Sequence, residues 1–128
     1  MIVTVVGLGL IGGSMALALK SNGFASTVLG VDINQQHQKT ALQLKIVDSI
    51  ENLKTAIKKS NLVIISIPVS QSGKVINEIL DYCDNQTIID VGSTKHELAK
   101  LIENHPKRSH YVATHPIAGT EFSGPEAA

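Results

Sequence analysis

A doubly wound α/β domain with a mostly parallel sheet is the fold this sequence predicts, on three observations. Short β-branched runs alternate with longer amphipathic stretches, the pattern of parallel βαβ units with right-handed crossovers. The first run, Ile2-Val3-Thr4-Val5-Val6, is almost wholly apolar, as suits a central strand buried on both faces. The 128 residues, 43% of them hydrophobic, suffice for a single domain over 1–128 with a core that needs no staples.

Taken in order, the first strand is Ile2 to Val6. A helix is expected from Leu10 to Ser21, burying Ile11, Met15, Ala18 and Leu19, and stopped by Asn22-Gly23. Thr27 to Asp32 is the second strand and Gln35 to Leu44 the second helix. Ile46 to Ile50 is a short edge strand, and Leu53 to Lys58 a short helix. Leu62 to Ile67 is the clearest strand, ended by Pro68, which has no ladder donor. The helix Gln71 to Tyr82 sets Ile76, Ile79, Leu80 and Cys83 on one stripe, which assigns Cys83 to the core. Thr87 to Val91 is a strand. Thr94 and Glu97 have capping-box spacing for a helix carrying Leu98, Leu101 and Ile102. Tyr111 to Ala113 is the last strand.

Composition narrows the function. One cysteine excludes a disulfide framework and a multi-cysteine zinc module. Eleven basic against eleven acidic residues, with no basic run, argue against nucleic acid or an anionic membrane as partner. No apolar stretch reaches the ~20 residues of a membrane span, and the amino terminus does not read as a signal peptide. A cytoplasmic location is expected. No metal site is expected: histidines 37, 96, 105, 110 and 115 show no i, i+4 pairing with a carboxylate.

Chemistry enters at Gly7-Leu8-Gly9-Leu10-Ile11-Gly12. A G-x-G-x-x-G is weak alone, but this one follows a strand at once and opens a helix, the Rossmann-type context for a dinucleotide pyrophosphate. Gly7 would make the tight turn, Gly9 would admit the pyrophosphate, and Gly12 would let the helix pack closely. The alternative is a glycine-rich turn with no ligand. Asp32 stands 20 residues after Gly12, where a carboxylate accepts hydrogen bonds from ribose hydroxyls. It would repel a 2′-phosphate, and Ile33-Asn34-Gln35-Gln36 brings no Arg or Lys to accommodate one, so NAD is expected rather than NADP. Asp32 could instead cap the following helix, or do both. In a parallel sheet Ser66, Pro68, Ser93 and His115 also follow strands and converge on the carboxyl-end crevice. Each has a plainer role: Ser93 suits a helix cap, and His96, His105 and His110 read as structural.

These residues resemble a known family. Gly-Leu-Gly-Leu-Ile-Gly-Gly-Ser at 7–14, Asp90-Val91-Gly92-Ser93-Thr94-Lys95, and His115-Pro116-Ile117-Ala118-Gly119-Thr120-Glu121, in that order, look like the prephenate/arogenate dehydrogenases of tyrosine biosynthesis. The resemblance covers the whole chain, and its last two motifs are far more specific than the glycine pattern. It implies oxidative decarboxylation of prephenate to 4-hydroxyphenylpyruvate, or of arogenate to tyrosine, with a nicotinamide cofactor taking the hydride. It also implies that His115 is the catalytic histidine, that Ser93 positions the ring hydroxyl and the nicotinamide, and that Thr120 is a weaker substrate contact. The family has a second, helical domain that forms a homodimer and binds the substrate carboxylates. That domain is not expected within these residues, whose only arginine is Arg108. The chain is therefore expected to be a truncated, nucleotide-binding part that is poorly active alone. Two other readings stay open. One is a β-hydroxyacid dehydrogenase or pyrroline-carboxylate reductase, which the segment from His115 to Thr120 argues against. The other is a non-catalytic dinucleotide-binding module.

Overall fold

The computed structural model describes residues 1–91, 96–113 and 125. Six parallel strands form one sheet in the order β3-β2-β1-β4-β5-β6, the doubly wound arrangement expected. The strands are β1 Ile2–Val6, β2 Thr27–Val31, β3 Ser49–Ile50, β4 Leu62–Ile65, β5 Thr87–Asp90 and β6 Tyr111–Ala113. The helices are α1 Leu10–Ser21, α2 Gln35–Gln43, α3 Leu53–Lys59, α4 Val69–Tyr82 and α5 His96–Ile102. A short 3-10 turn, Arg108–His110, leads into β6.

Alternation along the strands feeds two cores. Val3 and Val5 of β1 and Ile64 of β4 face the side covered by α1 and α2, with Ala16, Ala41, Ile46 and Val47. Val6, Val63, Ile65 and Ile88 face the side covered by α3, α4 and α5, with Ile57, Ile76, Ile79 and Leu98. Thr4, a fully buried polar residue in β1, is satisfied by donating Oγ1–H to the Ala56 carbonyl of α3 at 3.1 Å. Cys83 lies in the second core, as expected, with its thiol pushed up by burial and turned to the Gln86 carbonyl.

Several expectations are corrected. In α1 the buried residues are Gly12, Gly13 and Ala16, with Met15 and Leu19 partly buried, whereas Ile11 and Ala18 are exposed. Small residues let the helix lie close on the sheet, and larger side chains flank that contact. Leu101 of α5 is likewise exposed, while Leu98 and Ile102 are buried. The edge strand shrinks to Ser49–Ile50 because Asp48 bonds in place of a ladder: its N–H donates to the Val28 carbonyl and its carboxylate accepts the Val28 N–H, both at 2.8 Å. The strand β4 stops two residues early, and α4 begins directly after Pro68. Thr94 lies outside the described residues.

Candidate active site

The turn after β1 is built on backbone contact that excludes side chains. Gly7 has φ +102°, and a Cβ there would sit 2.3 Å from the Ser66 carbonyl oxygen. Only glycine fits both the conformation and the space. At Gly12 a Cβ would lie 2.1 Å from the Gly7 carbonyl oxygen and 3.0 Å from Val5 Cγ1, so α1 and the turn also close on glycine. Gly9 is different: a Cβ there meets nothing within 4 Å. It is the N-cap of α1, which has no side-chain cap and no acidic residue in its first turn. The positive end of α1 thus opens on space that a pyrophosphate fits by charge and by size.

Asp32 follows β2 directly and ties this turn to its neighbour. Its Oδ2 accepts the Leu8 N–H at 2.8 Å and its Oδ1 accepts the Asn34 N–H at 2.8 Å. A carboxylate has about four acceptor positions, so two backbone donors leave room for ribose hydroxyls. The cap of α2 is Asn34, whose Oδ1 accepts the His37 N–H at 3.1 Å, rather than Asp32. The third wall is the segment after β4, where Ser66, Ile67 and Pro68 precede Gln71 of α4. Together these residues enclose a cleft of about 580 Å³ at the junction of β1 and β4, where the strand order reverses.

The structure brings Gly7, Leu8, Gly9, Leu10, Asp32, Ser66 and Pro68 to one cleft, while Ile11 and Gly12 fall outside its lining. The residues present fit a dinucleotide, through an open backbone cradle at one end and a carboxylate with spare acceptors at the other. Sequence reasoning missed Asn34, His37 and Gln71, which also line it. His37 lies with Nδ1 3.5 Å from Asp32 Oδ2. The signal that could have found it is its place in the first turn of the helix that Asp32 precedes.

Ser93, His115 and Thr120 lie outside the described residues, as does the His96 side chain. Asp90 ends β5 in register with Ala113 of β6, so both strands leave the sheet at the edge that carries the cleft. Asp90 is fully buried, and the Tyr111 hydroxyl donates to its Oδ2 at 3.3 Å. Burial first, and then Asp90, push the Tyr111 phenol far up, so it remains a donor. Two other histidines are structural, as expected. His105 Nε2 lies 2.8 Å from Asp81 Oδ1 while its Nδ1 accepts the Lys107 N–H. His110 Nδ1 lies 3.0 Å from the Gln86 carbonyl, which makes it the donor. No helix among the described residues is long and apolar enough to cross a membrane.

Comparison with known proteins agrees with this geometry. The family model "Prephenate dehydrogenase, nucleotide-binding domain" matches residues 15–128. That span begins after the glycine turn, so the match to the family model does not rest on the turn. Prephenate dehydrogenase of Bacillus subtilis is 35% identical over 98% of this chain and 35% of its own length. Cyclohexadienyl dehydrogenase of Zymomonas mobilis is 32% identical over 98% of this chain and 43% of its own length. A crystal structure of Aquifex aeolicus prephenate dehydrogenase with hydroxyphenyl propionate and NAD+ superposes with TM-score 0.86 at 32% identity, covering 98% of this chain and 45% of that one. The chain thus spans between a third and a half of the length of these relatives. It belongs to the family of prephenate dehydrogenase nucleotide-binding domains.

Proposed function

We propose that this chain is the nucleotide-binding part of an NAD-dependent prephenate dehydrogenase. The observation that carries the reading is the open cradle at Gly9 facing the same cleft as the Asp32 carboxylate. The backbone from Gly7 to Leu10 holds the pyrophosphate, with Gly12 packing α1 against the turn, and Asp32 accepts the ribose hydroxyls, so a 2′-phosphate meets a like charge. Ser66 and Pro68 border the cleft on the side of α4. When bound, NAD supplies a hydride acceptor. Ser93 positions the ring hydroxyl, His115 as neutral imidazole takes its proton, and Thr120 contacts the substrate. Loss of carbon dioxide aromatises the ring, so the protein need supply neither a strong acid nor a metal. Binding of the substrate carboxylates and a homodimer contact are assigned to the part of the family's length that this single domain (1–128) does not span, and the domain works in the cytoplasm with little turnover by itself. The relative named for a cyclohexadienyl ring leaves the side chain open, which favours arogenate as the second reading.

The test is reduction of NAD by the intact gene product when prephenate or arogenate is added. In that protein His115→Asn is expected to keep NAD binding and lose about 10²–10⁴ in turnover. The parent should need a group of pKa near ~6.5 deprotonated. Near-parental turnover of the variant, with the same pH profile, overturns the role of His115.

A further inference from the structure

Beyond the carboxylate that selects against a 2′-phosphate, the cleft holds a second titratable side chain. His37 stands in the first turn of α2, held there by its backbone N–H on Asn34 Oδ1, so its imidazole is not needed for the cap. The ring is about one third exposed, and its Nδ1 is 3.5 Å from Asp32 Oδ2. Asp32 is itself only 10% exposed and is anchored by two backbone donors, so it cannot swing away from the imidazole. Among the described lining residues Asp32 and His37 are the ones with ionisable side chains. The β1–α1 turn contributes backbone groups, and the β4–α4 wall contributes Ser66 and Gln71, which carry no charge. Lys39, on α2 itself, is not part of the lining. The charges that face the imidazole are the Asp32 carboxylate and the amino end of its own helix α2.

We propose that His37 is a proton-dependent specificity determinant at the ribose end of this cleft. Neutral, it leaves the Asp32 charge uncompensated, and NAD is preferred. As a cation it offsets that charge and offers a charge-assisted donor to a 2′-phosphate, so NADP gains on NAD as the pH falls. The inference rests on the dinucleotide reading of the cleft and assigns His37 the role that an Arg or Lys near this carboxylate would otherwise fill.

The experiment is calorimetric titration of the intact gene product with NAD and with NADP at about pH 6 and about pH 8, either side of the histidine range. A 2′-phosphate takes up a proton of its own near pH ~6, which eases repulsion in any variant. The decisive quantity is therefore the difference between the parent and His37→Gln. From pH 8 to pH 6 the ratio of NADP to NAD affinity should rise about three- to tenfold more in the parent. His37→Lys, charged at both values, should hold the raised ratio at pH 8 and lose the extra pH dependence. Equal rises in the parent and His37→Gln overturn the role of His37, as does a His37→Lys protein that discriminates at pH 8 as the parent does. A parent that binds neither nucleotide overturns the dinucleotide reading itself, which separates the two failures.

Discussion

At the amino ends of the strands, side chains turn back onto the backbone, whereas at the carboxyl ends of β1, β2 and β4 the backbone is left facing a cleft. Asn61 Oδ1 accepts the Ile2 N–H and Asp48 Oδ2 accepts the Val28 N–H, each at 2.8 Å. Lys20 Nζ reaches both Asp48 and the Lys45 carbonyl at 3.1 Å. At the opposite end Asp32 holds Leu8 and Asn34, yet α1 starts without a side-chain cap on a glycine with open space around it. Donors satisfied within the chain contribute to folding, and donors aimed at open space are available to a ligand. Substitutions should therefore separate by what the group faces: stability changes where it packs or bonds within the chain, as at the amino end, and binding changes where it faces the open cleft at the carboxyl end.

Gly7 and Gly9 test that separation most severely, because they lie two residues apart in the same turn. Gly7→Ala forces a Cβ to 2.3 Å from the Ser66 carbonyl at φ +102°, where no flexible side chain can yield. A loss of about 3 kcal/mol or more in a denaturant melt is expected, from overpacking and backbone strain together. Gly9→Ala enters empty space from φ −85°, ψ −156°, which any residue adopts, so stability should stay within about 0.5 kcal/mol. Its methyl group, and more so that of Gly9→Val, occupies the cradle, and NAD affinity should fall at least about tenfold by calorimetry. A Gly9→Val protein with parental NAD affinity would break the comparison, since the carboxyl end would then not be the binding end.

The same contrast explains what the sequence could reveal. Parallel topology was legible because a buried strand and an amphipathic crossover have different periodicities, and Ile2–Val6, Leu10–Ser21 and Tyr111–Ala113 emerge with the expected bounds. The buried face of α1 was not, because hydrophobic patterning treats Gly12 and Gly13 as blanks although they make the close contact. Asp48 gave no signal for its cap on Val28, since that bond joins residues 20 apart and depends on how α2 returns to the sheet. The convergence of Gly7, Asp32, Ser66 and Pro68 followed from strand direction alone. His37 did not, because strand direction says nothing of a residue inside the following helix; only its first-turn place after Asp32 pointed there.

Asp48 sharpens the comparison at the amino end. Its carboxyl lies below the ordinary value because the Val28 N–H donates to it, outweighing burial, with Lys20 lowering it further. A depressed carboxyl stabilises the fold above its unfolded pKa of ~3.9, and that contribution is lost as pH falls through the lower, folded value. Asp48→Ala should therefore cost about 1 kcal/mol at neutral pH, at the low end for a lost charged hydrogen bond because the side chain is 42% exposed. The deficit should vanish in melts taken well below pH ~4, and NAD affinity should not change. A variant that keeps parental stability at neutral pH, or that loses NAD binding while still folded, contradicts the division between the ends.

The smallest expected effect is a gain, at Lys45. This residue follows the C-cap Leu44 of α2 with φ +58°, the left-handed conformation in which a Cβ is disfavoured. The turn needs that conformation: the Ile46 N–H returns to the Ala41 carbonyl at 2.9 Å, and this directs Ile46 and Val47 into the core. Lys45→Gly removes the steric cost while the backbone bonds remain, including the carbonyl that accepts Lys20 Nζ. Glycine also gives the unfolded chain more freedom, which offsets part of the gain. The net should be about 0.5–1 kcal/mol in favour of the variant, or roughly 2–4 °C in melting temperature. Because the strain lies at the amino end, away from the cleft, relieving it should leave NAD affinity as it was. A variant that melts lower than the parent would mean that the Lys45 side chain stabilises this turn by more than its backbone strain costs.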